Sequence, residues 1–164
     1  MSDRRYLLLT LATILLSTAC FQVPATKLGR LPLDAKVLGE WDCRPAEPTT
    51  EASALVTFLR FDEFQYYVEW KEGEKLYRYR VYPGHLRGIK ILNVAELPES
   101  DHRLWMVARA SLGVDGVLSL AVPAKRITDM SDDDARLRAF RREADRADAW
   151  EDFARCVAHK DASP

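Results

Sequence analysis

The chain has 164 residues, with 24 Lys or Arg against 25 Asp or Glu and a formal net charge of −1. So even a mixture of signs gives no electrostatic basis for binding nucleic acid, and no basic motif adds one. No internal repeat or low-complexity tract is present, and the length suits one compact domain with its own core.

The chain opens with Arg4 and Arg5, followed by an uncharged apolar run from Tyr6 to Ala19. A bilayer-spanning helix needs about 20 apolar residues, so this shorter run with a basic start reads as an export signal over 1–19. It closes on Leu16-Ser17-Thr18-Ala19-Cys20, which resembles the lipobox of bacterial lipoproteins, where a small residue precedes the modified cysteine. Here Leu16 stands four residues before the cysteine and Ser17 three before, where that family usually has Leu. The resemblance implies cleavage before Cys20, three acyl chains on that residue and durable anchoring, since one chain alone binds a bilayer only marginally. Phe21 stands where family sorting rules use Asp for inner-membrane retention, so the resemblance also implies the outer membrane, facing the periplasm, in a double-membraned cell. Ordinary secretion with cleavage near Ala19 is the competing reading.

Three cysteines are present. Committing Cys20 to lipid leaves Cys43 and Cys156 as an even pair in an oxidising compartment, where a disulfide persists. Neither has CxxC spacing or a neighbouring histidine, which argues against a metal or redox role. Residues 20–36, with two prolines in FQVPATKLGRLPLDAK and little periodicity, read as a lipidated N-terminus and a short tether.

From Val37 to Val122 the pattern is short aromatic and β-branched runs with period-two alternation, broken by Gly, Pro and Asp. Strands are predicted at Leu38–Arg44, Ala54–Phe61, Phe64–Trp70, Leu76–Val81, Gly88–Leu97, Arg103–Leu112 and Val117–Val122. A two-residue loop at Glu72-Gly73 would set Val68 against Tyr77, Tyr66 against Tyr79 and Phe64 against Val81 on one face. The other face would then pair Lys71 with Glu74 and Gln65 with Arg80. Pro83-Gly84, Pro98–Asp101 and Asp115-Gly116 are predicted turns.

After Pro123 the period changes. Ser131 followed by three aspartates predicts a helix start with a Ser cap, and Leu137, Phe140, Ala144 and Ala147 recur at helical spacing, for one amphipathic helix over about 131–147. Phe153–Ala158 is short and branched enough for a last strand, with continued helix as the other reading. Residues 161–164 form a tail.

Eight strands with a helix before the last are enough for a closed antiparallel barrel, a mainly β fold over 37–160. Order and length are similar to the lipocalins and related calycin barrels, and Gly39-Glu40-Trp41 matches the G-x-W that opens them; the second and third lipocalin signatures are not recognisable. The resemblance implies that Arg155 packs over Trp41 and that the interior takes a small hydrophobic ligand. Barrel closure makes the first and last strands neighbours, so a Cys43–Cys156 bond would lock the seam. Trp41, Phe64, Tyr66, Val68, Tyr77, Tyr79 and Trp105 are candidates for the interior, either lining a ligand site or filling the core, since a small barrel can be plugged by its own side chains.

Other constellations are weaker. His85, His102 and His159 are scattered without metal-ligand spacing, and Asp129–Asp134 lacks the Gly and final Glu of a calcium loop, with Phe140 in the twelfth place. No phosphate loop or nucleophile elbow occurs, and Ser119 has hydrophobic neighbours, so the sequence predicts no enzyme, no cofactor and no metal. Tyr67, Arg78, Arg80 and Arg109 share an outer face that either recognises an anionic or glycan surface or simply pairs with Glu69 and Glu96. The expectation is a noncatalytic, membrane-anchored envelope lipoprotein whose domain binds a small hydrophobic ligand or an envelope protein. The alternative is a structural or assembly lipoprotein with a solid barrel, acting through its outer surface.

Overall fold

The computed structural model describes residues 20–29, 31–47, 53–98 and 104–160; residues 1–19, for which an export signal is expected, His102, Arg103, most of the expected turn at Pro98–Asp101 and the tail at 161–164 lie outside them. A two-residue strand β1 (Cys20–Phe21) precedes β2 (Gly39–Pro45), β3 (Ala54–Arg60), β4 (Tyr66–Glu72), β5 (Lys75–Leu86), β6 (Ile89–Leu97), β7 (Trp105–Leu112) and β8 (Leu118–Pro123). Then come the short helix α1 (Lys125–Thr128), the helix α2 (Asp133–Glu143) and β9 (Trp150–Ala158). β2 to β9 pair in sequence, and β9 returns to β2, so eight antiparallel strands close a barrel with a helix before the last strand, and β1 adds a ninth strand on β7.

Closure is exact at the seam. Cys43 and Cys156 are direct partners across β2 and β9 and are joined by a disulfide, with Cα atoms 3.9 Å apart. Both lie in the barrel interior, 1% and 0% exposed.

The β4–β5 hairpin keeps the predicted face and changes the partners. Tyr66 pairs with Val81, Val68 with Tyr79 and Trp70 with Tyr77, a shift of two residues that leaves the side chains within the two strands on their expected sides, while Phe64, Gln65 and Glu74 fall outside the ladder and Lys71 and Arg80 pair with Leu76 and Tyr67. The loop is Gly73-Glu74, because a primed hairpin turn needs a positive φ at its first position, and Gly73 supplies it at +57°. Phe64 is not in the strand; it sits in the preceding turn, where its N–H donates to Asp62.

Pro83-Gly84 is not a turn. β5 continues through both to Leu86, and the chain reverses at Arg87-Gly88, both with positive φ. Past Val81 the β4 side of β5 has no strand partner among the described residues, which makes that stretch an edge where proline is tolerated. Gly84 is needed for another reason: a Cβ there would collide with the Thr26 hydroxyl, so its absence lets the N-terminal segment lie against the strand.

The helix starts one residue later than Ser131 predicts. Asp132 is the cap, its Oδ1 accepting from the Ala135 N–H at 2.8 Å, with Asp133 and Asp134 in the first turn. It stops at Glu143 rather than 147, where the Ala144 carbonyl accepts from Trp150 Nε1 at 2.7 Å and a 3-10 turn leads into β9. Leu137, Phe140 and Ala144 are buried as expected, whereas Ala147 is exposed.

Two cores result, one on each side of the barrel wall. Inside lie Trp41, Cys43, Val56, Phe58, Tyr66, Val68, Val81, Leu118, Leu120 and Cys156. Outside, α2 covers β5 to β8, burying Phe21, Tyr82, Ile91, Trp105, Val107, Phe140 and Trp150. No helix among the described residues is long and apolar enough to cross a membrane.

Candidate functional site

The strand ends divide the barrel into a base and a mouth. The base is where β2 begins and β7 ends, and a 3-10 turn over Ala35–Val37 closes it. Two expected interior residues pin that plug. Trp41 Nε1 donates to the Val37 carbonyl at 2.9 Å, and the Tyr66 hydroxyl accepts from the Asp34 N–H at 2.7 Å. Both rings are buried, as is Val68 beside them. A cavity of about 50 Å³ remains there between Asp34, Tyr66, Lys90 and Leu112, room for a few waters but far below the ~300 Å³ of an ordinary ligand pocket.

At the mouth, where β4 ends and β5 begins, the inward side chains are only partly buried. Trp70, Tyr79 and Phe153 pack against the interior core, with Trp70 and Phe153 rings 5.6 Å apart. Trp70 Nε1 donates to Glu72 Oε1 at 2.6 Å, and Tyr77 faces Trp70 across the hairpin. Burial and the nearby Glu96 carboxylate push the Tyr79 hydroxyl well above its usual range, so it stays a neutral donor. Among the expected interior residues, then, Tyr77 and Tyr79 reach the mouth, while Trp41, Tyr66 and Val68 fill the barrel. Trp70 and Phe153 join the same rim, and the alternation of β4 carries the signal for Trp70.

Trp105 is elsewhere. The alternation of β7 points Met106 and Ala108 inward and Trp105 and Val107 outward, under α2, where Trp105 packs on Tyr82 with ring centroids 5.5 Å apart. Arg155 does not cover Trp41. It is exposed opposite Arg44, on the outer side of a strand whose Ala154 and Cys156 point in.

The N-terminal segment is not a loose tether. Cys20 pairs with Met106 and Phe21 with Trp105, and Phe21 is 1% exposed beneath Phe140. Arg136 of α2 donates to the Cys20 carbonyl at 2.9 Å, and Arg141 donates to the carbonyls of Ala25 and Pro24 at 2.8 and 3.1 Å. From below, the buried Asn93 accepts from the Ala25 N–H at 2.9 Å and donates to the Thr26 hydroxyl at 3.0 Å. The composition of 20–36 hides this, because the holding groups come from β6 and α2, far along the chain.

Because Asn93 is fully buried, its loss should be costly. Asn93→Ala would strand the Ala25 donor in a closed site, for which ~1–3 kcal/mol is expected. Hydrogen exchange at the Ala25 amide and proteolysis within 20–29 should both accelerate, while the Cys43–Cys156 seam stays protected.

The Cys20 thiol follows the opposite side of β1 from Phe21, the same side as Met106, toward the mouth. Burial raises its pKa, the positive charge of Arg136 opposes this, and Glu96 adds to it. The residue is half-buried at the rim of the barrel, within electrostatic reach of Tyr79 and Glu96.

On the outer face, Arg78 pairs with Glu69 at 3.3 Å, and the Tyr67 hydroxyl donates to the same carboxylate at 2.9 Å. Arg80 lies over Phe61 at 4.1 Å, and Arg109 lies over Trp150 at 5.3 Å. Those cations are engaged locally, while Glu96 points inward rather than to this face. Among the described residues no cluster of His, Cys, Asp and Glu is arranged to hold a metal. His159 Nδ1 meets the Asp42 carboxylate at 2.9 Å, and its backbone N–H donates to the Glu40 carbonyl, fastening the chain end to β2.

No family model, no curated protein and no solved structure matches the chain.

Proposed function

We propose that the protein is an envelope lipoprotein in which residues 1–19 direct export, Cys20 carries lipid, and the barrel is a noncatalytic interaction module mounted directly on the membrane. The apolar run ending at Ala19-Cys20 supports export and lipidation. The observation that carries the module reading is the filled interior: Val56, Leu118 and Cys156 are each 0% exposed and pack with Trp41, Phe58 and Tyr66. Deep carriage of a hydrophobic ligand needs a large apolar cavity, so this packing favours action through the outer surface and the mouth. The periplasmic face of an outer membrane is the location consistent with Phe21 after the cysteine.

The test is Cys20→Ala in the full chain expressed in a bacterial envelope. Wild type should incorporate a palmitate analogue and sediment with membranes, whereas the variant should incorporate none and appear in the soluble periplasmic fraction. Equal membrane retention of both would refute the anchor.

A further inference from the structure

Most lipid anchors are pictured on slack chain, which leaves the orientation of the domain free. Here there is no slack. Cys20 is the first described residue after 1–19, and it is built into the barrel wall by its pairing with Met106 and by Arg136. Phe21 is held beneath α2, so β1 cannot swivel without exposing a buried ring.

Resting on the lipid reading of Cys20, we infer that the mouth of the barrel is seated against the leaflet that holds the Cys20 acyl chains, with the base directed away. Alternation sets the direction. Since Phe21 points outward under α2, the Cys20 sulfur points to the side of Met106, and a thioether built there grows out past Glu96 and Tyr79 through the rim. Acyl chains starting at that position reach a leaflet only if the leaflet lies over the mouth.

The rim has the character of a surface that meets lipid. Leu104, just before β7, is 52% exposed, and Leu76 at the start of β5 is 41% exposed. Beside Leu76, Trp70 and Tyr77 are half-buried, the residue types favoured at a membrane–water interface. Among the described residues of the rim, the β4–β5 hairpin and Glu96 mix both signs, Lys71 and Lys75 with Glu72, Glu74 and Glu96. The base also exposes apolar side chains, Leu59, Phe61, Val114 and Val157, so exposed apolar area alone does not choose the end and the position of Cys20 does. They sit a strand's length from Cys20, roughly 25 Å at about 3.3 Å per residue, and the clamped segment cannot span it.

The experiment uses the full chain, lipidated in cells and reconstituted in phosphatidylethanolamine–phosphatidylglycerol vesicles doped with a nitroxide-headgroup lipid. A fluorophore is placed on Leu104→Cys or Leu76→Cys at the rim, and on Val114→Cys at the base. The same preparation is digested, and the mass of the Cys20 peptide is read. Strong quenching at both rim positions and little at the base is the expected result. A lipid-bearing Cys20 peptide with equal quenching at rim and base, or more at the base, overturns the seating alone. An unmodified Cys20 peptide overturns the lipid reading and the seating with it.

Discussion

Replacing Cys43 and Cys156 together by alanine should lower the unfolding free energy by about 4 kcal/mol, from the chain-entropy model of a crosslink closing a long loop. The sequence separation is 113 residues, so the bond joins the two strands whose pairing turns an open sheet into a barrel. Without it, the unfolded chain gains the freedom of that loop, and the β2–β9 seam is left to its ladder hydrogen bonds, to interior packing around Trp41 and Ala154, and to the His159–Asp42 contact. The measurement is urea unfolding of the wild type with and without reductant, alongside the double variant. Reduced wild type and the variant should have similar midpoints, both well below the oxidised protein. Coincident midpoints with and without the bond would show that the seam contributes nothing.

Phe140→Ala should be nearly as damaging, and in a different place. The ring is 0% exposed, with Phe21 at 5.8 Å on one side and Trp150 edge-on at 5.3 Å on the other. Truncating a fully buried Phe costs ~3–5 kcal/mol through lost transfer energy and the cavity left behind. The cavity opens between α2 and the barrel wall, so the first amides to lose exchange protection should be those of β1 and α2, before the interior strands. Uniform loss of protection across β2 to β9 would mean that the two cores unfold as one unit.

How much of this was legible in the chain depends on the range of the interaction. The mainly β class, the eight-strand closure, the helix ahead of the last strand and the Cys43–Cys156 pair followed from alternation, helical spacing and counting sulfur. The face of each residue in the β4–β5 hairpin was legible too, because a shift of two leaves alternation intact. The partners were not, since they depend on which residue takes the positive φ, and that is Gly73 in the first loop position. Pro83-Gly84 misled for a related reason. Turn propensity is local, whereas the straight course of β5 is set by its ladder with β6 and by Thr26 packing where a side chain would have stood.

Side of the wall was the other gap. A strand buried on both faces shows no polar face, so the alternation of β7 did not say whether Trp105 or Met106 pointed into the barrel. The position of α2 answers that, burying Trp105 outside and leaving Met106 on the side of the mouth. Arg155 likewise matched a position in a pattern, but its strand carries it to the outer face.

Cys20 shows the division most clearly. Its proposed role as an attachment point rests on contiguous residues alone, because an export signal is read along an unfolded chain and needs no tertiary context. Whether the residues that follow are slack or fixed depends on Asn93, Arg136 and Arg141, which are 67 and more residues away from the backbone groups they hold. Those bonds exist only when the barrel has closed and α2 lies on it, so no local pattern could announce them.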